Sequence, residues 1–207
     1  MSGDAPLRLG CLVSGTGRHV MNLQDCIERG ELPAEIALVL ATKPDAPAIE
    51  RCRARGLPVV VVPPQPSTTV DDRVDDALRA ADVELVVLAG YLRLFRVQAW
   101  IDRCINIHPA LLPRHGGKGL FGRHVHQAVL AAGDRETGCT VHWVDDRYDH
   151  GEAILQRRCG VLADDTPDTL ADRVFAEELL AMPEAIRRVA RWRRGHGSKP
   201  LARDLVA

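Results

Sequence analysis

The feature that most constrains this 207-residue chain is how its apolar residues are grouped. Residues 7–14 (LRLGCLVS), 35–42 (EIALVLAT), 59–62 (VVVV) and 84–89 (ELVVLA) are short, nearly continuous apolar runs. A strand with one wet face alternates apolar and polar residues. A continuous run is covered on both faces, as in a parallel sheet with helices above and below. Helical stretches separate the runs: residues 19–29; residues 46–55, followed by Gly56 where glycine is favoured after a helix end; and residues 70–81, after a Pro-rich loop at 63–67. The β-α-β-α-β-α-β order predicts an α/β fold with an open, doubly wound, mostly parallel, Rossmann-like sheet. In such sheets ligands sit outside the carboxyl ends of the strands, so residues just after strands are the informative ones.

The second half is less regular. Residues 104–108 (CINIH) predict a short strand. Residues 109–122 form a loop rich in Gly and Pro, whose backbone is free to approach a ligand. A helix over 125–132 ends at Gly133, and two strands at 138–144 and 153–161 are joined by the acidic segment 145–151. Thr166 and Pro167 open a long helix as N-cap and first helical residue. Its apolar stripe is Leu170, Val174, Leu179, Met182, Ile186 and Val189. From Arg187 the chain turns basic. We expect one domain over residues 1–190 and a basic C-terminal tail over 191–207, with the last ~15 residues weakly ordered.

Composition excludes several classes. Lys plus Arg number 27 and Asp plus Glu 28, a net charge of −1, which argues against non-specific binding to nucleic acid or to an anionic membrane. Aromatic residues are 4%, so base-stacking platforms are scarce. No apolar run approaches the ~20 residues that span a bilayer. The N-terminus lacks a basic start followed by a long apolar run, so no secretory signal is expected. Cys11, Cys26, Cys52, Cys104, Cys139 and Cys159 are widely spaced with no C-x-x-C. They are expected to be reduced residues of a cytoplasmic protein, with no disulfide framework and no zinc site.

Asn106 and His108 are the first candidates for chemistry. Two apart on a strand, they share a face, while Ile105 and Ile107 point into a core. The imidazole exchanges a proton near neutral pH. The amide can hydrogen-bond a developing oxyanion, an effect worth about 3–4 kcal/mol. The alternative is a strand end whose polar groups simply bond the next loop. Asp149 lies in the acidic 145–151 segment. Near His108 it would stabilise the imidazolium and raise its pKa; otherwise it belongs to a solvated acidic turn. Gly15, Thr16, Gly17 and Arg18 lie between the first strand and first helix, where main-chain N–H groups cradle phosphate. Val20 breaks a G-x-G-x-x-G fingerprint, so a short monophosphate turn fits better than a dinucleotide site. His115, His124 and His126 flank Lys118 without a carboxylate or cysteine to complete a ligand set, so we expect no metal.

These segments resemble the phosphoribosylglycinamide formyltransferase family. The matching pieces are SGTG (14–17) followed by Asn22-Leu23, LVVLAGYLRLF (85–95), INIHPALLP (105–113), GCTVHWVDDRYDHG (138–151) and DTLADRVFAEELLAMP (168–183). The N-x-H-P-[AS]-L-L-P segment with a later T-V-H-[FW]-V-x-x-x-x-D is specific to the formyltransferase superfamily.

The resemblance implies formyl transfer from 10-formyltetrahydrofolate, a co-substrate, to the primary amine of glycinamide ribonucleotide in purine biosynthesis. It implies that Asn106 and protonated His108 stabilise the oxyanion. Asp149 holds His108 charged and helps pass a proton to the folate nitrogen. By the same resemblance Leu92, Arg93, Leu94 and Phe95 enclose the pterin with Asn106, Asp145, Asp146 and the rest of the acidic loop. Gly15, Thr16, Gly17 and Arg18 take the substrate phosphate, and Glu178 contacts the ribose end. Glu178 falls on the buried face of its helix, where a carboxylate needs a partner; an internal Arg would also serve.

The family commonly reads S-G-x-G-S-N-L. Here residues 18–21 precede Asn22, which predicts a longer phosphate turn. The loop at 114–126 is expanded, making Lys118 either a substrate contact or a surface residue. Both departures fall on the acceptor side. The alternatives are a formyltransferase using another amine or water, and a non-catalytic folate- or nucleotide-binding module. The expected assembly is a monomer or homodimer.

Overall fold

The computed structural model describes residues 5–65 and 69–202. The chain divides into two compact units, Met1–Ile105 and Asn106–Ala207.

In the first unit the apolar runs form parallel strands. These are β1 (Leu7–Val13), β2 (Ala34–Ala41), β3 (Val59–Val61) and β4 (Leu85–Leu88), in the order β3-β2-β1-β4. The helices between them are α1 (Arg18–Glu28), α2 (Ala48–Ala54) and α3 (Val70–Ala80). β4 is buried at every position, as a strand covered on both faces must be. The core is built from Leu9, Leu12, Leu23, Leu40, Leu78 and Leu85. α3 starts where Thr69 accepts the Asp72 N–H at 3.1 Å, with Asp71 and Asp72 in the positive first turn.

The expected lengthening of the phosphate turn is not found. Gly17 takes a left-handed φ of 73° as the N-cap, and α1 begins at Arg18. The Met21 N–H bonds the Gly17 carbonyl at 3.0 Å, so residues 18–21 are the helix's first turn rather than an insertion in the loop. A Cβ on Gly17 would lie 2.8 Å from the Ala48 Cβ, so both the dihedral and the close approach require glycine.

The second unit carries β5 (Cys104–His108) from Asn106 onward, α4 (Arg123–Ala131), β6 (Glu136–Trp143), β7 (Ala153–Gly160) and α5 (Pro167–Arg193), with strand order β5-β6-β7. β6 and β7 are antiparallel. Their register shifts at Val141/His142, a bulge of the kind that re-aims side chains beside functional sites. α5 opens as expected, with Pro167 at its start and a Thr166–Thr169 capping box. Leu170, Val174, Met182, Ile186 and Val189 are buried along it.

Of the C-terminal residues expected to fray, 203–207 lie outside the described residues, and those before them make defined contacts. α5 runs to Arg193, Trp192 packs edge-on against Trp143 at 5.8 Å, and the Trp143 indole N–H donates to the Pro200 carbonyl at 3.2 Å. The Trp143 ring thus meets both the end of α5 and the chain beyond it.

All six cysteines are free thiols, five of them buried. Burial pushes the Cys11 thiol up to about 12. Among the described residues no helix is long and apolar enough to cross a membrane, and no cluster of His, Cys, Asp and Glu could hold a metal ion.

Candidate active site

Alternation along β5 fixes the first two groups. Ile107 is buried in the core, while Asn106 and His108 share the opposite face. The acidic loop between β6 and β7 returns Asp149 to them. It does so through Gly151, where a Cβ would lie 1.8 Å from the Trp143 carbonyl, so only glycine fits the loop's base. Asp149 has a left-handed φ of 53°, a conformation that costs a non-glycine residue roughly 1–2 kcal/mol.

The hydrogen bonds determine where the protons are. Nε2 of His108 lies 2.8 Å from the main-chain carbonyl of His115. A carbonyl only accepts, so Nε2 carries a proton. Nδ1 faces Asp149 Oδ2 at 3.4 Å, and that same oxygen accepts the Gly117 N–H at 3.0 Å. Asp149 Oδ1 accepts from Nδ2 of Asn106 at 3.3 Å. The second Nδ2 hydrogen points to Nε2 of His142 at 3.0 Å, which must then be a bare acceptor. The proton of His142 is therefore on Nδ1, where it donates to the Trp143 carbonyl at 2.8 Å. Nε2 of His142 stands 3.7 Å from Asp149 Oδ1, too far for a direct hydrogen bond.

Burial pushes the His108 imidazole below the usual histidine range, and the Asp149 charge and the His115 carbonyl offset only part of that. Asp149 raises the ring's pKa, as expected from the sequence, but desolvation at 3% exposure outweighs it. Burial pushes the Asp149 carboxyl up, but the His108 imidazole and the Gly117 N–H outweigh it and leave the carboxyl below its ordinary value.

A cavity of about 410 Å³ opens beside Asp149, walled by Leu112, Pro113, Gly116, Gly117 and Tyr148. Its size is ordinary for a small-molecule site. Glu178 is 7% exposed on α5 and bears electrostatically on His108 and on His126 of α4. Lys118 is exposed. Asp145 accepts from the Arg147 N–H at 2.9 Å and pairs with His150 at 2.8 Å, while Asp146 is exposed.

The first unit holds the remaining candidates. Gly15, Thr16, Gly17 and Arg18 follow the carboxyl end of β1, and Leu92, Arg93, Leu94 and Phe95 follow that of β4. The two segments are tied: the Ser14 N–H bonds the Gly90 carbonyl at 3.1 Å, and the Leu92 N–H bonds the Ser14 hydroxyl at 3.2 Å. Leu92 and Leu94 are exposed and Phe95 is buried. Arg93 faces Asp71 at 3.6 Å, and Arg73 is engaged by the Pro63 carbonyl.

Several partners of the cluster are missing from the sequence reading. His142 and Thr140 stand two apart on an apolar run, the same signal that exposed Asn106 and His108. The Thr140 hydroxyl donates to the Ala110 carbonyl at 2.7 Å and accepts the Leu112 N–H at 3.0 Å, pinning the loop after β5. The His115 carbonyl and the Gly117 N–H are main-chain groups, announced only by the local density of glycine. Of the three loop histidines, His115 Nε2 donates to Asp134 at 2.7 Å and His124 packs edge-on against Phe121 at 5.6 Å. His126 is buried, and its Nδ1 lacks a hydrogen-bond partner among the described residues.

Comparison with known proteins identifies the family. The sequence model described as "Formyl transferase" matches residues 7–186. The chain is 41% identical over 178 residues to the chloroplastic phosphoribosylglycinamide formyltransferase of Arabidopsis thaliana, covering 83% of this chain and 61% of that protein. It thus spans about three-fifths of the length of the chloroplastic relatives. It is 30% identical to phosphoribosylglycinamide formyltransferase of Haemophilus influenzae, over 87% of this chain and 85% of the relative. Glycinamide ribonucleotide transformylase 1 from Symbiobacterium toebii superposes with a TM-score of 0.86 at 36% identity, covering 93% and 94% of the two chains. In fold and in sequence, this chain belongs to the formyl transferase family, among the phosphoribosylglycinamide formyltransferases.

Proposed function

We propose that the chain transfers the formyl group of 10-formyltetrahydrofolate to the primary amine of glycinamide ribonucleotide, a step of purine biosynthesis. The observation that carries this reading is the convergence of an amide, an imidazole and a carboxylate at the end of β5, with Asn106 and His108 both within 3.4 Å of Asp149. The likeness to formyltransferases supports it.

The amine nitrogen attacks the formyl carbon and the carbonyl oxygen becomes an oxyanion. His108, protonated, and Asn106 donate to that oxygen. Collapse re-forms the carbonyl and breaks the bond to the folate nitrogen. The proton released by the amine passes through Asp149 to that nitrogen. In the free protein these donors are already engaged by Asp149, His142 and the His115 carbonyl. The formyl oxygen therefore replaces a protein acceptor, and no donor is left bare before substrate arrives. We assign the phosphate to Gly15, Thr16, Gly17 and Arg18, with Lys118 a second contact, and the ribose end to Glu178. We assign the pterin to residues 92–95, to Asn106, and to Asp145 and Asp146. We place the enzyme in a reducing, cytoplasmic compartment, as a monomer or homodimer; six free thiols support the compartment.

The test is tetrahydrofolate release from 10-formyltetrahydrofolate with and without glycinamide ribonucleotide. Amine-dependent release is expected. Release that ignores this amine would reassign the acceptor to water or another amine. His108→Ala should abolish turnover while leaving folate binding measurable; an active variant removes His108 from the mechanism.

A further inference from the structure

We propose that Asp134, which lies outside the reacting groups, is a positioning residue for His108: it grips the His115 side chain and so holds the His115 main-chain carbonyl against Nε2 of His108. The His115 carbonyl is the acceptor that fixes the His108 tautomer. Its own residue is left-handed, at φ 54°, a conformation that does not persist without an anchor. Asp134 supplies the anchor. Oδ2 accepts from His115 Nε2 at 2.7 Å, and Oδ1 pairs with Arg114, so one carboxylate holds two successive residues of the loop.

Asp134 is itself placed by the end of α4. Gly133 turns left-handed at φ 66°, its N–H bonds the Leu130 carbonyl at 3.1 Å, and the Asp134 N–H reaches the Val129 carbonyl at 3.4 Å. That pattern is a Schellman stop, a rigid way to end a helix. The Asp134 side chain is 9% exposed. The path from a helix end to the catalytic ring is therefore Asp134, His115 side chain, His115 carbonyl, His108 Nε2.

The chemical consequence concerns the second ring nitrogen. With the Nε2 proton committed to the carbonyl, Nδ1 faces the Asp149 carboxylate, so the imidazolium has a partner on each nitrogen. The carbonyl accepts the Nε2 proton of both forms but bonds the imidazolium more strongly, so releasing it leaves the ring less basic. The other groups facing the ring are Asp149 from the β6–β7 loop, His142 from β6, Glu178 from α5 and His126 from α4; this path leaves all of them in place.

The kinetic arm of the test rests on the formyl-transfer reading, but the first arm needs no substrate. An NMR titration follows the His108 ring, assigned by loss of its signal in His108→Gln. In Asp134→Ala the ring should titrate lower by about 0.5–1 pH unit, the margin by which a hydrogen bond to a charged group exceeds one to a neutral group. His115→Ala removes the same grip from the other side and should give the same shift. The double variant should shift no further than either single one. Asp134→Asn, which keeps an acceptor, should fall between. Glu136→Gln, in the exposed pair with Arg158, should change nothing. In turnover, the alkaline limb of the kcat/KM profile should move with the ring while the KM for folate holds. An unchanged His108 titration in folded Asp134→Ala and His115→Ala overturns the proposal. A shifted ring in a protein that forms no tetrahydrofolate overturns only the formyl-transfer reading.

Discussion

Asp149→Asn separates charge from shape at the site. Asparagine retains the volume and an acceptor for the Gly117 N–H, and it removes the charge that faces His108 Nδ1 at 3.4 Å. At an effective dielectric constant of about 20, two unit charges at that distance attract by about 5 kcal/mol. That corresponds to a ceiling of about 3.5 pH units on the His108 titration. Neighbouring opposite charges commonly move a group by about 1–3. Burial already holds the ring below the usual range, so the variant should titrate at least about one unit lower still. If protonated His108 stabilises the oxyanion, kcat/KM near pH 7 should drop at least about tenfold, and the alkaline limb should move to lower pH by the same interval. Well below both titrations the charge effect vanishes, and any residual loss measures the proton relay. The assay is kcat/KM against pH for both proteins, with thermal melts to confirm folding. An alkaline limb that stays in place, whatever the rate, would refute the His108–Asp149 coupling.

Three further outcomes follow from the geometry. Gly17→Ala must adopt a left-handed φ and displace Ala48, so it should lower stability by about 1–2 kcal/mol or more in a urea melt and weaken the phosphorylated amine's KM; an undisturbed melt would mean α1 can shift freely. His108 and His126 are both depressed by burial, so between pH 7 and about 5 the unfolded chain binds protons that the folded chain does not. Stability should fall on acidification across that window, and His126→Gln should flatten the melting-temperature profile; an equally steep profile would remove His126 from the effect. Asp149, held low, adds a term present above about pH 4 and lost below it, so a flat response to acid at pH 3–4 would count against its pairing.

What the sequence displays well is anything written in periodicity. The buried runs that became β1, β2 and β4, the caps at Thr166 and Pro167, and the shared face of Asn106 and His108 all follow from spacing and residue type. The start of α1 was legible too: Val20, Leu23 and Cys26 recur every third residue and are buried. The helix over 19–29 follows from that rhythm, and only the offset of Asn22-Leu23 from the family's S-G-x-G-S-N-L spacing suggests extra loop residues. Three things had no sequence signature. The His115 carbonyl and the Gly117 N–H are chemically identical to every other peptide group, and only folded geometry selects them. Burial overrides the Asp149 charge on His108, a contest of magnitudes that a spacing cannot decide. The Pro200 carbonyl that meets the Trp143 indole is one more main-chain group, in a segment whose composition is basic.

Leu112 and Pro113 wall two cavities at once: the one of about 410 Å³ beside Asp149, and another of about 390 Å³ that also touches Arg114, His115 and Asp134. A shared wall ties the two spaces together. A small molecule lodged against His115 and Asp134 would press on residues that also bound the space beside Asp149. It would disturb that space without ever entering it.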